Sequence, residues 1–331
     1  MRIHRLRRTA GVIVVALLAT TTVLVAPPTG ASTDGRERIV FSRSKIDGSG
    51  AAVRTADPNG ADGRAVHLPF VPEDFNRSTW SHDGRRLLYS NIPVKAPGTG
   101  KLAGFRPATS APNGSRFRLL ALPKLPTDMY CSAWTPTDRR ILCTIGFKAP
   151  GLFSLRASDG GGRRRLTRNP FGSPDLAVGF SPDGTRIAFL RFRPGSGPHA
   201  EGQEKVALVV ASPDGSHARR ITGYHLLQAH ELAWADWSPD GRRLVSSTPK
   251  GALVLVSSES GNVTPVHLQV GRRAFATLPT FSPDGKQLLF SLFRRGPAHL
   301  FRARLDGSSV RAVTSGPEND INADWSVVPG S

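Results

Sequence analysis

The chain of 331 residues is short of acid, with 25 aspartates and glutamates against 44 lysines and arginines. It has two cysteines, and its longest apolar run, near the start, is shorter than the roughly 20 residues a membrane-spanning helix prefers. Helical periodicity is absent after residue 32, which excludes a helical bundle and an α/β fold. No basic run is interleaved with aromatics, which disfavours nucleic acid as a partner. Enzyme signatures are incomplete. "APGTGKL" lacks a phosphate loop's first glycine, because Lys95 stands five residues before Gly100. "GSG" at 195–197 is not the G-x-S-x-G of a nucleophile elbow, and "HLLQAHE" is not in the H-E-x-x-H order of a zinc protease. Neither cysteine has a nearby histidine in its repeat, which argues against a catalytic thiol.

What is present begins with an export signal. "MRIHRLRR" carries Arg2, Arg5, Arg7 and Arg8, an apolar run follows, and "PTGAS" supplies small residues suited to cleavage after Ala31. Residues 1–31 are therefore expected to be a secretory signal peptide, and 32–331 one mature domain outside the cytoplasm. The competing expectation is that the segment stays on as an anchor. No cysteine follows the apolar run, which disfavours a lipoprotein. The mature chain keeps 40 basic residues and 25 acidic ones. That excess is either a solvated basic surface or an attraction for polyanions such as wall polymers.

One hairpin is written repeatedly: "WSHDGRRLLYS" from Trp80, "WTPTDRRILCT" from Trp134, "FSPDGTRIAFL" from Phe180, "WSPDGRRLVSS" from Trp237 and "FSPDGKQLLFS" from Phe281, with "WSVVPGS" from Trp325 cut short. The anchors are 54, 46, 57, 44 and 44 residues apart, the period of four-stranded propeller blades. In "SPDG" the proline presets φ and the glycine takes the left-handed region after a type I turn, which predicts a three-residue hairpin loop with a bulge. Second turns such as "ADPNG" and "ASPDG" add strands three and four. The truncated copy supplies a first strand only, and "RERIVFSRS" at the start reads as a second strand. The expected fold is all-β, a six-bladed β-propeller closed when the C-terminal strand joins the N-terminal three. The aromatic anchors are expected to wedge between neighbouring sheets rather than stack on a ligand.

"WSPDGRRLV", "FSPDGTRIAF" and "FSPDGKQLLF" resemble the repeats of TolB-type six-bladed β-propellers, which also occur in the propeller domains of prolyl-oligopeptidase-like enzymes. The resemblance spans roughly residues 37–331 and implies architecture more than function, because propellers host many activities.

Candidate sites follow from the repeat. A three-residue loop sets Cys131 opposite Cys143, at a spacing open to a disulfide, whereas a two-residue loop puts the sulfurs on opposite faces. Five repeats carry an acid five or six residues before the aromatic, in the loop entering the innermost strand: Asp74, Asp128, Asp175, Glu231 and Asp320. Such loops ring one mouth of the channel. They would either gather as a site for calcium, another divalent cation or a basic peptide, or each cap its own loop. His225 and His230 join Glu231 as further weak metal candidates. The long connections 91–107 and 191–205, both between a second and a third strand, lie on that same face and either mark it as the binding face or are only tolerated surface loops. The functional expectation is a secreted, monomeric, non-catalytic binding module that holds a protein, a peptide or a wall polyanion at the channel mouth, with no resident cofactor. Membrane contact is expected only through the signal segment. The alternative is a metal-dependent glycan lyase or hydrolase that uses the central channel.

Overall fold

The computed structural model describes residues 35–69, 77–95, 102–120, 129–145, 150–194, 204–227, 233–271 and 273–330. The expected signal peptide and the residues Asp74, Asp128, His230 and Glu231 lie outside the described residues. Blade 1 is built from β1 (Arg36–Ser44), β2 (Ala52–Ala56) and β3 (Arg64–Ala65). Blade 2 is β4 (Ser78–Trp80), β5 (Leu87–Lys95), β6 (Leu102–Ser110) and β7 (Arg118–Leu119). Blade 3 is β8 (Met129–Trp134), β9 (Arg140–Ile145), β10 (Gly151–Arg156) and β11 (Arg164–Arg165). Blade 4 is β12 (Asp175–Phe180), β13 (Ile187–Arg193), β14 (Lys205–Ala211) and β15 (Arg219–Arg220). Blade 5 is β16 (Ala235–Trp237), β17 (Arg243–Ser247), β18 (Leu253–Ser257) and β19 (Val263–Val266). Blade 6 is β20 (Phe275–Phe281), β21 (Gln287–Phe293), β22 (His299–Arg304) and β23 (Arg311–Ala312), after which β24 (Asn319–Val328) runs back into blade 1.

The six sheets are antiparallel and four-stranded, and blade 1 has the order β24-β1-β2-β3. Ile39 faces Trp325 and Val40 faces Asp324 across the closing pair. Innermost strands touch from blade to blade all round, including β24 against β4 and β20 against β24, so the ring is closed. Closure removes the terminal blade that would otherwise fray.

β14 and most second strands are buried on both faces because a neighbouring sheet covers each one. Accordingly "VALVV" in β14 is an unbroken apolar run rather than an alternating one. The outermost strands have no such cover. β3, β7, β11, β15 and β23 are two residues long, and each begins with an arginine. Short charged edges resist pairing with another chain.

The repeated turn is one residue longer than the expected three. The Ser81 N–H donates to the Arg86 carbonyl at 2.9 Å and the Arg86 N–H donates to Ser81 Oγ at 2.9 Å, which leaves four residues in the loop. The same bonds join Ser181 to Arg186, Ser238 to Arg243 and Ser282 to Gln287. Side chains set the length. Asp83 Oδ1 accepts from both the Ser81 hydroxyl and the Arg85 N–H, so serine and aspartate together hold the extra residue. Gly84 at φ +65° is required twice over: a Cβ there would come within 2.4 Å of the Val327 carbonyl oxygen.

In blade 3 the longer turn pairs Trp134 with Ile141 and Ala133 with Leu142. A bulge at Ser132 then takes up one residue, so Cys131 faces Cys143 after all, and the two form a disulfide. The bulged Ser132 uses its hydroxyl to donate to the Ala177 carbonyl of blade 4 at 2.8 Å. Asp138 occupies the glycine position of this turn at φ +55°. Its carboxylate reaches the blade 2 turn, accepting from the His82 and Asp83 N–H groups at 2.9 and 3.0 Å. A residue less suited to the left-handed region is kept where it ties two blades together.

The aromatic anchors wedge between blades. Trp134 packs with Leu88 and Leu120 of blade 2, and its Nε1 donates to the Thr79 carbonyl at 3.3 Å. Trp237 packs with Val178 and Leu190 of blade 4, and its Nε1 donates to the Gly179 carbonyl at 3.2 Å.

Candidate functional site

In an antiparallel four-stranded blade, the loop entering the first strand and the connection from second to third strand share one face. That face is the expected mouth. The connection expected as a loop at 91–107 is largely strand, because β5 runs to Lys95 and β6 resumes at Leu102. In the second, β13 runs to Arg193 and β14 resumes at Lys205.

Of the acids expected at this mouth, Asp175 and Asp320 are described, and both are wholly buried. Each faces an arginine on the adjacent strand of its own blade: Asp175 opposite Arg191 and Asp320 opposite Arg43. Both pairs are bidentate. Arg191 Nε and Nη2 each lie 2.8 Å from the two carboxylate oxygens, and Arg43 Nε and Nη2 lie at 2.7 and 2.8 Å. The hydrogen bonds to the carboxylates hold both guanidiniums above the ordinary arginine value, against the opposing effect of burial. The Thr167 hydroxyl adds a third bond to Asp175 at 2.7 Å. These two carboxylates are therefore engaged inside their blades and do not meet one another as a cation cage. Among the described residues no three His, Cys, Asp or Glu side chains converge as metal ligands. His225 is exposed on the loop between β15 and β16.

The channel interior carries a cluster that sequence reasoning missed. "ADW" occurs at 235–237 and again at 323–325, and its acid sits on the innermost strand just before the wedge aromatic. Asp324 accepts the Trp80 N–H of blade 2 at 2.8 Å. Asp236 accepts the Phe281 N–H of blade 6 at 2.9 Å and the Thr280 hydroxyl at 2.7 Å. Each acid thus clamps its blade to the next. Burial pushes Asp236 up and pushes Asp324 up to about 6; Arg77 pulls both down.

Arg77 enters blade 2, and its guanidinium lies 3.5 Å from the centroid of the Trp234 ring, which enters blade 5 on the opposite side of the ring. Burial lowers the Arg77 guanidinium from its ordinary value, and Asp324, Tyr130 and Asp236 act against that. The arginine thus bridges the channel as a cation over an indole, counterbalanced by two acids.

The exposed part of the mouth face is aromatic and basic. Phe171, in the loop between β11 and β12, is 41% exposed. It meets Tyr224, in the loop between β15 and β16, edge to face at 6.1 Å. Arg193, at the end of β13, lies 5.4 Å from the Phe171 ring centroid and 5.9 Å from that of Tyr224, and Arg220 lies 5.1 Å from Tyr224. Only the arginines are foreshadowed by composition; the meeting of two loops from successive blade junctions is not.

Comparison with solved structures fits this geometry. TolB from Acinetobacter baumannii superposes with a TM-score of 0.62 at 14% identity, over 90% of this chain and 68% of that one. The fold is that of a TolB-type six-bladed β-propeller. Other solved structures that superpose on this TolB-type fold are a chain of the nidogen/laminin complex and the hydrazine synthase of Kuenenia stuttgartiensis. The first has a TM-score of 0.63 at 10% identity, over 88% of this chain and 98% of that one. The second has a TM-score of 0.64 at 14% identity, over 88% and 47%. No protein-family model matches the sequence. An uncharacterized protein of Agrobacterium fabrum (strain C58 / ATCC 33970) is 32% identical over 90 residues, which are 26% of this chain. The chain spans about 30% of the length of that relative.

Proposed function

We propose that this TolB-type propeller is a non-catalytic binding module that works outside the cytoplasm and captures a protein partner at its mouth face. The observation that carries the reading is the exposed Phe171 against the half-buried Tyr224, flanked by Arg193 and Arg220. Aromatics and arginines are the side chains that dominate binding hot spots, because they bury large rigid surfaces and form charge-assisted bonds. The arginines favour an acidic partner. The disulfide between Cys131 and Cys143 fits an oxidising compartment.

Extracts of the producing cells passed over immobilised protein and over a variant combining Phe171→Ser with Arg193→Glu test the proposal. The expected result is at least one protein retained by the first and lost from the second, as quantified by mass spectrometry. Identical sets on both columns would refute the mouth face as the binding surface.

A further inference from the structure

The turn face, opposite the mouth, carries a second surface at the seam where the ring closes. A cleft of about 660 Å³ lies between blade 1 and blade 2. One wall is the turn between β6 and β7, at Pro112 and Asn113, and another is the end of the closing strand, Val328 to Gly330. The start of β1 brings Arg36 and Arg38, β3 brings Arg64, and the turn between β4 and β5 brings Arg85. Trp80 forms part of the lining.

The charges do not balance. Arg36, Arg38 and Arg64 share two acids, Asp57 and Asp62. Arg85 adds a fourth cation, and its side chain has no ion pair among the described residues. Four guanidiniums over two carboxylates leave the cleft positive. Arg64 is 71% exposed, so its fork is open to a ligand.

The indoles supply an independent sign. Trp134, Trp237 and Trp325 each use Nε1 to donate to a neighbouring carbonyl or carboxylate, at 3.3, 3.2 and 3.2 Å. Trp80 holds the equivalent position in the blade that borders the cleft. It is only 6% exposed, and its Nε1 has no partner among the described residues. A buried donor without an acceptor costs stability unless something fills the role. The departure from the repeat occurs where the lining is apolar and the rim is basic.

We infer that the seam cleft binds an acidic peptide segment of a partner protein, with carboxylates on the arginine rim and an apolar side chain against Trp80. The volume lies within the roughly 300–1,000 Å³ of ligand pockets. Arginine forks match carboxylates in a bidentate manner, and Trp80, Pro112, Val328 and Pro329 supply apolar surface for the side chain between them. This site shares no residue with the mouth face, and either can fail without the other.

The test is a titration with a fluorescein-labelled octapeptide of alternating glutamate and leucine. Saturable binding is expected to weaken at least about tenfold when Arg64→Ala and Arg85→Ala are combined, as two charge-assisted contacts are lost. Arg164→Ala with Arg165→Ala, on the distant β11, should leave affinity within about twofold, because charges far beyond the Debye length are screened. In ¹⁵N spectra the peptide should move the Trp80 indole N–H and leave the other four in place, with Trp80→Phe identifying the resonance. The proposal is overturned by an absence of saturable binding, by equal binding of the glutamine version, or by equal weakening in the β11 variant. Displacement by inorganic phosphate at about 10 mM would make the cleft a small-anion site and overturn it too. So would a dimer in sedimentation that the Arg64/Arg85 variant abolishes, since a second copy would then be the occupant.

Discussion

Arg43→Met should cost the protein more stability than Asp320→Asn, although the two residues make the same contact. Asp320 is completely buried on β24, whereas the Arg43 side chain on β1 keeps 26% of its surface in solvent. Removing the arginine strands a carboxylate that has no route to water. Its nearest remaining cationic candidate, His299 Nδ1, is 4.0 Å away. Breaking a buried pair in this way costs about 3–5 kcal/mol. Removing the carboxylate's charge leaves an asparagine that still accepts a hydrogen bond, and a long arginine that can extend into solvent, so about 1–2 kcal/mol is expected. Unfolding a domain of about 300 residues carries an entropy near 0.6 kcal/mol per kelvin, so the two variants should melt about 5–8 °C and about 2–3 °C below the parent. Scanning calorimetry at neutral pH, checked by urea denaturation, reads both. Equal costs, or a larger cost for Asp320→Asn, would refute the reasoning and point to a different partner for the carboxylate, such as a cation at the mouth. The pair of Arg191 and Asp175 should show the same asymmetry, softened by the Thr167 hydroxyl that stays behind.

Asp138→Ala should lose the ties to His82 and Asp83 and also force alanine to φ +55°, for about 2–3 kcal/mol, whereas Asp138→Gly loses the ties alone, for about 1 kcal/mol; urea midpoints decide the order. Reducing the disulfide, whose cysteines are 12 residues apart, should lower the melting temperature by about 5 °C, the equivalent of about 3 kcal/mol of loop-closure entropy. For Asp324, raised to about 6 from 3.8, the folded state holds the proton more tightly than the unfolded one. Its contribution is therefore full below about pH 4 and lost as the pH rises through about 6, a span on the order of 3 kcal/mol. Asp324→Asn should remove that span, so the difference in urea midpoint between variant and parent should change between pH 7 and pH 5; a constant difference would contradict it.

Several features were legible because they are local or periodic. Serine–proline–aspartate–glycine turns mark the inner hairpins of blades 4, 5 and 6, their variants mark those of blades 2 and 3, and the spacing of the aromatic anchors counts the blades. The isolated "INADWS" predicts a strand that must pair elsewhere, and it does so opposite Val40. Loop length was misjudged by one residue, because the Ser81 and Asp83 side chains, not the backbone dihedrals alone, hold the turn. The facing of Cys131 and Cys143 came out the same only because the Ser132 bulge offsets that residue, and the bulge is anchored in the next blade.

The acids show the boundary most clearly. Their spacing before each aromatic is visible in the chain, yet what Asp175 and Asp320 face depends on which residue the neighbouring strand presents, and there both meet arginine. Blade number, strand order and closure follow from the amino-acid sequence, since turn chemistry and apolar patterning act over a few residues and simply recur. Only the tertiary structure decided that Arg77 lies over Trp234, that Asp324 holds Trp80, and that four arginines gather beside an unpartnered indole. Curling the sheets into a ring brings together residues more than 150 positions apart, and no short-range pattern records which side chains will then be neighbours.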